Sequence, residues 1–303
     1  MDRDKASFTR REFMKGAGGA ALGIVGGLPA AACKAGEAQP TAPTTSRVVL
    51  IRNEAAVSED RTTNGPILQQ MLDEAMVALF DRSSPAECWQ GIVRANDVVG
   101  IKTNVWQNLP TPPELHEAIR AGVASAGVAE ENIGIADRGL VNNELFQRST
   151  ALINTRPMRT HAWSGVGSLI KNYITFVPSP PDYHEDACAD LAKLWDLPAT
   201  KGKTRLNVLV MLTPQFHNVG PHHFDASYVW NYGGLIVSTD PVAADSTGLR
   251  IIQQKRRLAF GEERPLQPTA HHIALADTVH RLGNADPSNI ELIRLGWDGD
   301  ILI

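Results

Sequence analysis

The sequence predicts an α/β protein with a mainly parallel sheet flanked by helices, formed by one domain or by two tightly joined lobes. Short runs of Val and Ile alternate with longer segments in which apolar residues recur at helical spacing. Such alternation is typical of parallel strands that helices cover. With 43% hydrophobic residues, the chain of 303 residues can bury a substantial core in either arrangement.

The elements before residue 140 follow each other regularly. We predict strands over residues 47–52, 97–105 and 132–136, and helices over 66–80 and 112–126. The second helix is expected to close at Gly127, because glycine accepts the left-handed conformation that ends many helices.

The elements after residue 150 are less regular at first. Residues 158–163 suggest a strand, 167–176 show no clear period, and 184–194 suggest a helix. Regularity then returns, with strands over 206–212, 234–239 and 290–295 and helices over 241–260 and 269–282. Thr239 or Asp240 is the expected N-cap of the helix that begins with Pro241.

The N-terminal 33 residues have the features of a twin-arginine (Tat) signal peptide. Arg10 and Arg11 precede Phe13 and Lys15, and a Gly- and Ala-rich run follows. Six glycines interrupt that run, so it would span a membrane poorly. We therefore expect export by the Tat translocase to the periplasm or another extracytoplasmic location. Because this route carries folded proteins, it also suggests a cofactor inserted before export.

Cys33 lies where the signal peptide is expected to end. The preceding alanines suit a signal peptidase, and they also resemble a lipobox that lacks its usual leucine. The mature protein is therefore either free in the periplasm or lipid-anchored at Cys33. Residues 34–46 have the composition of a disordered linker, residues 47–303 should form the α/β domain, and we expect no transmembrane helix in the mature chain.

Charge and cysteine content exclude two classes of function. Of 29 basic and 33 acidic residues, five and three lie before residue 34, which leaves 24 basic and 30 acidic residues. This acidic balance argues against nucleic-acid binding. The chain has no Cys-x-x-Cys, which argues against an iron–sulfur cluster held by the protein. Cys88 and Cys188 form either a disulfide or, as we expect, two buried thiols.

Two lysine–asparagine clusters predict a site for a small anion. Lys102 and Asn104 end one predicted strand, and Thr111 precedes the next helix, whose N-terminus favours an anion. Lys171 and Asn172 form the second cluster. Open α/β sheets place their sites at the carboxyl ends of strands, so the clusters are expected to converge. A pair of surface lysines beside turns is the alternative.

Three carboxylates are candidates for catalysis. Asp137 follows a predicted strand, where it could bind a metal or act as a base; equally, it could pair with Arg138 or cap the next helix. Asp240 and Asp245 lie at the start of the helix that begins at Pro241, with Asp245 about one turn in. The alternative is that Asp240 only caps this helix and that Asp245 is a surface acid.

Three histidines on a glycine–proline loop are candidate metal ligands. His217, His222 and His223 could hold Zn²⁺ or Fe²⁺, although their spacing matches no closed motif and the loop could be a solvated turn. No other cofactor can be named from the residues.

Several of these motifs together resemble the domain-of-unknown-function 362 family. They are Ile101-Lys102-Thr103-Asn104, Thr111 to Leu115, Ile135-Ala136-Asp137, Ile170-Lys171-Asn172, Gly220-Pro221 and Ser238 to Asp245. The last is similar to the family's Ser-Thr-Asp-Pro-Val-Ala-x-Asp signature, and the similarity covers roughly residues 47–300. The resemblance implies the fold and the position of the site, whereas the activity of the family is, as its name says, unsettled.

Two classes of function follow from these observations. In the first, the protein is a metal- or cofactor-dependent enzyme, of an oxidoreductase type, that acts on a small anionic molecule. In the second, the same lysines bind the anion without catalysis, as in an exported binding or accessory protein. Tat export favours the first, because a simple binding protein could be exported unfolded.

Overall fold

A computed structural model describes residues 45–218, 220 and 223–303 of the chain. The predicted signal peptide, Cys33 and all of the predicted linker except Thr45 and Ser46 lie outside these residues. The described residues belong to one compact unit that extends to Ile303. None of the helices in this part of the chain combines the length and apolar composition that crossing a bilayer requires.

The described residues form a mixed sheet of eight strands. Its strands are β1 (Ser46–Arg52), β2 (Val99–Lys102), β3 (Ile133–Ala136), β4 (Ala151–His161), β5 (Gly165–Gly167), β6 (Thr204–Gln215), β7 (Gly234–Ser238) and β8 (Ile290–Gly296). Their order is β3-β2-β4-β6-β7-β1-β8, with β5 paired to β4 alone. Only β5 and β7 run antiparallel to their neighbours, so the expected mainly parallel sheet is confirmed.

Helices cover both faces of this sheet. They are α1 (Gly65–Phe80), α2 (Pro85–Ile92), α3 (Pro113–Ser125), α4 (Glu144–Arg148), α5 (Leu169–Asn172), α6 (Pro241–Phe260) and α7 (His271–Thr278). Helices α1, α2 and α3 pack on one face, and α4 to α7 pack on the other. Alternate residues of a strand therefore enter different cores: Val48 and Leu50 lie in one, and Val49 and Ile51 in the other. This two-sided burial explains why the strands are continuous apolar runs.

Helix α6 shows how the local sequence fixes an element. Asp240 is its N-cap, and one carboxylate oxygen accepts hydrogen bonds from the backbone N–H groups of Val242 and Ala243 at 2.8 and 3.0 Å. Pro241 occupies the first turn, where no N–H is needed, and Gly261 ends the helix with a left-handed φ of 71°. The predicted helix over 241–260 is confirmed.

Three predictions about elements were wrong. Residue 46 is not part of the linker. Ser46 starts β1 and is buried, and its hydroxyl donates a hydrogen bond to Asp240 at 2.6 Å. The predicted helix over 184–194 is a 3-10 segment, Asp186–Asp196, that is broken where Ala187 and Cys188 adopt positive φ. Strand β4 starts at Ala151, seven residues before the predicted strand, and helix α2 was not predicted.

Candidate anion-binding site

The candidate site lies where the connections of the sheet diverge. The chain leaves β2 for β3 on one side, whereas it leaves β4 for β6 on the other, so the switch point falls between β2 and β4. Ligands of open α/β sheets bind outside the carboxyl ends of strands at such a point. Lys102 is the last residue of β2, and Asn104 lies two residues beyond it. Strand β4 pairs with β2 only as far as Asn154 and then continues with Arg156 and Arg159.

Lys102 and Asp137 form a buried ion pair at this edge. The lysine Nζ lies 2.7 Å from Asp137 Oδ1, and it also donates to the carbonyl of Thr103 and to Asn172 Oδ1 at 3.2 Å. Burial lowers the pKa of Lys102 to about 8, against the opposing effect of Asp137. Burial alone would raise the pKa of Asp137, but the charge and hydrogen bond of Lys102 keep it below its usual value. The other carboxylate oxygen accepts from the backbone N–H of Val105 at 3.1 Å.

A row of buried amides fixes the position of Lys102. The residues paired across the sheet are Lys102 on β2, Asn154 on β4 and Asn207 on β6. Asn172 of α5 donates to Asn154 Oδ1 at 2.8 Å and to the carbonyls of Thr155 and Lys102. Asn154 in turn donates to Asn207 Oδ1 at 3.1 Å. The predicted proximity of the two lysine–asparagine clusters is therefore observed for Lys102 and Asn172, and the alternative of surface lysines is wrong, since Lys102 and Lys171 are both buried.

Two buried arginines of β4 have donors without acceptors. Arg156 makes no hydrogen bond with any described residue, and its Nε is enclosed without a partner. Arg159 donates once, to Asn104 Oδ1 at 3.3 Å, and its guanidinium lies 4.4 Å from the ring centre of Trp106, while its Nε is also unpartnered. Burial lowers the pKa of Arg156 to about 10, and Asp137 and Asp245 oppose this shift. Both side chains are cations, because a guanidinium group is not deprotonated in proteins.

Lys171 lies within electrostatic reach of these arginines and beside Cys188. Its Nζ is 3.4 Å from the Cys188 thiol, and burial lowers its pKa to about 8. Burial and the neighbouring cations also keep His161 and His272 neutral: the pKa of His161 is strongly lowered and that of His272 falls to about 3. Cys188 and Cys88 are both buried free thiols, as expected.

Unpartnered buried polar atoms occur on β4 and neighbouring elements, and also elsewhere in the described residues, at Trp89 Nε1 and Thr175 Oγ1. Buried polar atoms in native proteins normally have hydrogen-bond partners. Besides the two arginine Nε atoms, those of the described residues that lack one include Thr111 Oγ1, Thr155 Oγ1, both side-chain polar atoms of Gln215 and both ring nitrogens of His272. Thr111 precedes α3 but does not cap it. The N-cap position is Pro112, and the Thr111 backbone N–H instead donates to the carbonyl of Asn104 at 2.8 Å.

Asp240 and Asp245 both serve in structural hydrogen bonds. Besides capping α6, Asp240 accepts from Ser46 and from the backbone N–H of Asn284, so both its oxygens are used. Asp245 is fully buried and accepts from the Ser168 hydroxyl and from the N–H groups of Leu169 and Ile170, at 2.7 to 2.9 Å. It is therefore not a surface acid, and burial raises its pKa to about 6. A catalytic role for either carboxylate stays a prediction.

The predicted metal ligands do not form a metal site among the residues that the structure describes. His217 Nδ1 lies 3.1 Å from a guanidinium nitrogen of Arg256, and the ring lines a cavity of about 340 Å³ together with Arg256 and Arg264. Burial and these two cations lower the pKa of His217, and such surroundings do not fit a divalent metal ion. His223 is exposed, and His222 lies outside the described residues. Among the residues that are described, no group of three His, Cys, Asp or Glu side chains could hold a metal ion.

Sequence reasoning missed Arg156, Arg159, His161 and His272. Its strand prediction in this region began only at residue 158, after the first arginine. The available signal was the run Arg156-Pro157-Met158-Arg159, which places two cations beside the apolar segment that forms the start of β4.

Comparison with known families agrees with the motifs. Residues 138–250 match the model of a family described as a domain of unknown function, DUF362. This segment belongs to DUF362. It contains Arg156, Arg159, Lys171 and Asn172, whereas Lys102 precedes it, so the resemblance outside residues 138–250 stays a prediction. Searches of curated proteins and of solved structures found no significant match to the chain.

Proposed function

We propose that the protein binds a small anion between the carboxyl ends of β2 and β4, with Arg156 and Arg159 as its principal ligands. The observation that carries this proposal is the pair of buried guanidinium groups whose Nε atoms have no acceptor among the described residues. A buried charge without a partner is costly, and charge-assisted hydrogen bonds to an oxyanion would remove that cost.

The surrounding residues support an anion rather than a cation. Lys102 and Lys171 add positive charge, and the carboxylates of Asp137 and Asp245 already accept hydrogen bonds from the protein. A cation placed here would face four basic side chains. The predicted Tat signal peptide supports the proposal that this binding takes place outside the cytoplasm.

Replacing Arg156 by methionine tests the assignment. Arg156→Met removes an unpaired buried charge, so we expect the anion-free protein to be as stable as the wild type or more stable. Anion affinity should fall by about tenfold to a hundredfold, since hydrogen bonds to charged groups contribute about 1.5–3 kcal/mol. Isothermal titration calorimetry with sulfate, phosphate, acetate and nitrate measures the affinity, and thermal unfolding measures the stability.

The matched control is Arg138→Met, because the Arg138 side chain is 77% exposed and lies 3.9 Å from Asp137 at the same sheet edge. It should leave anion affinity within about twofold. Arg156→Met protein that is destabilised and binds anions as tightly as the wild type would contradict the proposal.

Catalysis on the bound anion is the second candidate, and the two lysines favour it. Lys102 and Lys171 have pKa values of about 8, which suits proton transfer near neutral pH, and Lys102 is paired with Asp137. The oxidoreductase prediction, with a metal or organic cofactor, belongs to this candidate. Elemental and mass analysis of protein purified from its native host tests the enzyme candidate. A stoichiometric metal or cofactor would support an enzyme, provided that the wild type converts the co-purified anion and Lys102→Met does not. Unconverted anion on protein without metal or cofactor would support simple binding.

A further inference from the structure

The described site contains more positive than negative charge. Its buried cations are Lys102, Arg156, Arg159 and Lys171. Its buried carboxylates are those of Asp137 and Asp245. The negative charge of Asp137 raises the pKa values of Lys102, Arg156 and Arg159, and that of Asp245 raises the pKa of Arg156. The other titratable groups packed around them, His161, His184, His272 and the Cys188 thiol, are neutral at pH 7. Apart from the solvent-exposed Arg138, which also acts on Lys102, two buried positive charges are thus left without a buried counter-charge.

The carboxylates cannot rearrange to neutralise the arginines. Asp245 acts on Arg156 electrostatically but is held by Ser168, Leu169 and Ile170. Asp137 is held by Lys102 on one oxygen and by the Val105 N–H on the other. Neither forms a hydrogen bond with Arg156 in the described residues. The described residues therefore supply no carboxylate that forms a hydrogen bond with Arg156.

We infer that the ligand is an oxyanion that carries two negative charges. This inference rests on the proposed anion site and adds the class of ligand to it. A dianion balances the two uncompensated cations, whereas a monoanion such as nitrate leaves one buried charge unpaired. Arg156 and Arg159 both belong to β4, and the N–H of neutral His272 adds an unpartnered donor within electrostatic range of Lys171 and Arg156. Several donors require a ligand with several oxygens.

The charge balance also gives a pH dependence. As pH falls through about 6, Asp245 takes up a proton, which adds one uncompensated charge. As pH rises through about 8, Lys102 and Lys171 lose protons, which removes positive charge. Sulfate keeps both charges throughout, so its affinity should fall steadily from pH 5.5 to pH 9.

Selectivity between anions tests the inference without any substitution. Calorimetry on the mature chain at pH 6.5 and constant ionic strength compares sulfate with nitrate and malonate with acetate. We expect at least one dianion to bind 100-fold or more tightly than its singly charged counterpart. Preference for sulfate identifies a tetrahedral inorganic or ester oxyanion, and preference for malonate identifies a dicarboxylate.

A variant that lowers the charge by one unit gives a second readout. Lys171→Met should reduce the dianion preference to tenfold or less, whereas Lys193→Met, at a lysine that is exposed and paired with Asp190, should leave it unchanged. Equal binding of dianions and monoanions would overturn the inference and leave the anion site standing. Absence of binding by all four anions would overturn both.

Discussion

The Asp245 carboxylate links helix α6 to the start of helix α5 through hydrogen bonds. Replacing Asp245 tests how much these hydrogen bonds stabilise the fold. Asp245→Ala leaves three buried donors without an acceptor: the Ser168 hydroxyl and the backbone N–H groups of Leu169 and Ile170. Each orphaned donor costs about 1–3 kcal/mol. The substitution also removes a carboxylate whose ionised form is disfavoured by burial, which offsets part of that cost.

The offset depends on pH, and its sign follows from the pKa of Asp245. That pKa is raised from 3.8 to about 6 in the folded protein, so the stabilisation that proton uptake provides is fully present below pH 3.8 and is lost as pH rises through 6. Ionisation of Asp245 disfavours folding by about 3 kcal/mol at pH 7.5 and by about 1 kcal/mol at pH 4.5. Asp245→Ala should therefore lose about 2 kcal/mol more stability at pH 4.5 than at pH 7.5.

Urea unfolding of wild type and Asp245→Ala at both pH values measures this difference. The control is Asp190→Ala, at an exposed acid paired with Lys193, which should change the free energy of unfolding by less than about 0.5 kcal/mol at either pH. A loss that is larger at pH 7.5 than at pH 4.5 would refute the reasoning about burial. A loss below about 1 kcal/mol at pH 4.5 would refute the role of the three donors.

Two further predictions concern the packing around Asp240 and the export of the chain. A Cβ at residue 283 would overlap the Asp240 carboxylate, so Gly283→Ala should lower the free energy of unfolding by roughly 2–4 kcal/mol. The control is Gly91→Ala in helix α2, where a Cβ meets open space, and it should raise the free energy of unfolding by about 0.5–1 kcal/mol. Equal chemical-denaturation midpoints for the two variants would contradict this. If Arg10 and Arg11 direct Tat export, replacing both by lysine should leave unprocessed precursor in the cytoplasm, and fractionation that finds normal periplasmic accumulation would refute the signal-peptide prediction.

The regular elements of the fold could be predicted because they bury apolar side chains. Helix α6 and strand β3 follow their periodicity and caps, and their observed bounds agree with the sequence within one residue. Strand β4 could not be recognised in the same way. From its middle onward it buries Thr155, Arg156 and Arg159, and it contains Pro157, so it lacks the apolar pattern of a central strand.

The candidate site was therefore only partly predictable. Lys102, Asn104 and Lys171 were found because each stands beside a recognisable motif or element end. Arg156 and Arg159 were missed because the features that make them candidates, burial and the lack of hydrogen-bond acceptors, arise from the tertiary structure. The same holds for the broken segment around Cys188, because no residue pattern in the sequence predicts its positive φ values. Departures from local sequence rules are expected where a protein forms a functional site.

The most direct test of the anion site is a crystal structure of the protein, without its predicted signal peptide, grown with selenate, a doubly charged analogue of sulfate. Anomalous scattering at the selenium edge locates the anion without reference to the protein coordinates. We expect a strong peak within roughly 4–5 Å of the Arg156 guanidinium, the separation set by a charge-assisted hydrogen bond of about 2.8 Å and one further bond. Peaks confined to surface lysines or to the His217 cavity, at a selenate concentration that saturates binding in solution, would contradict the account.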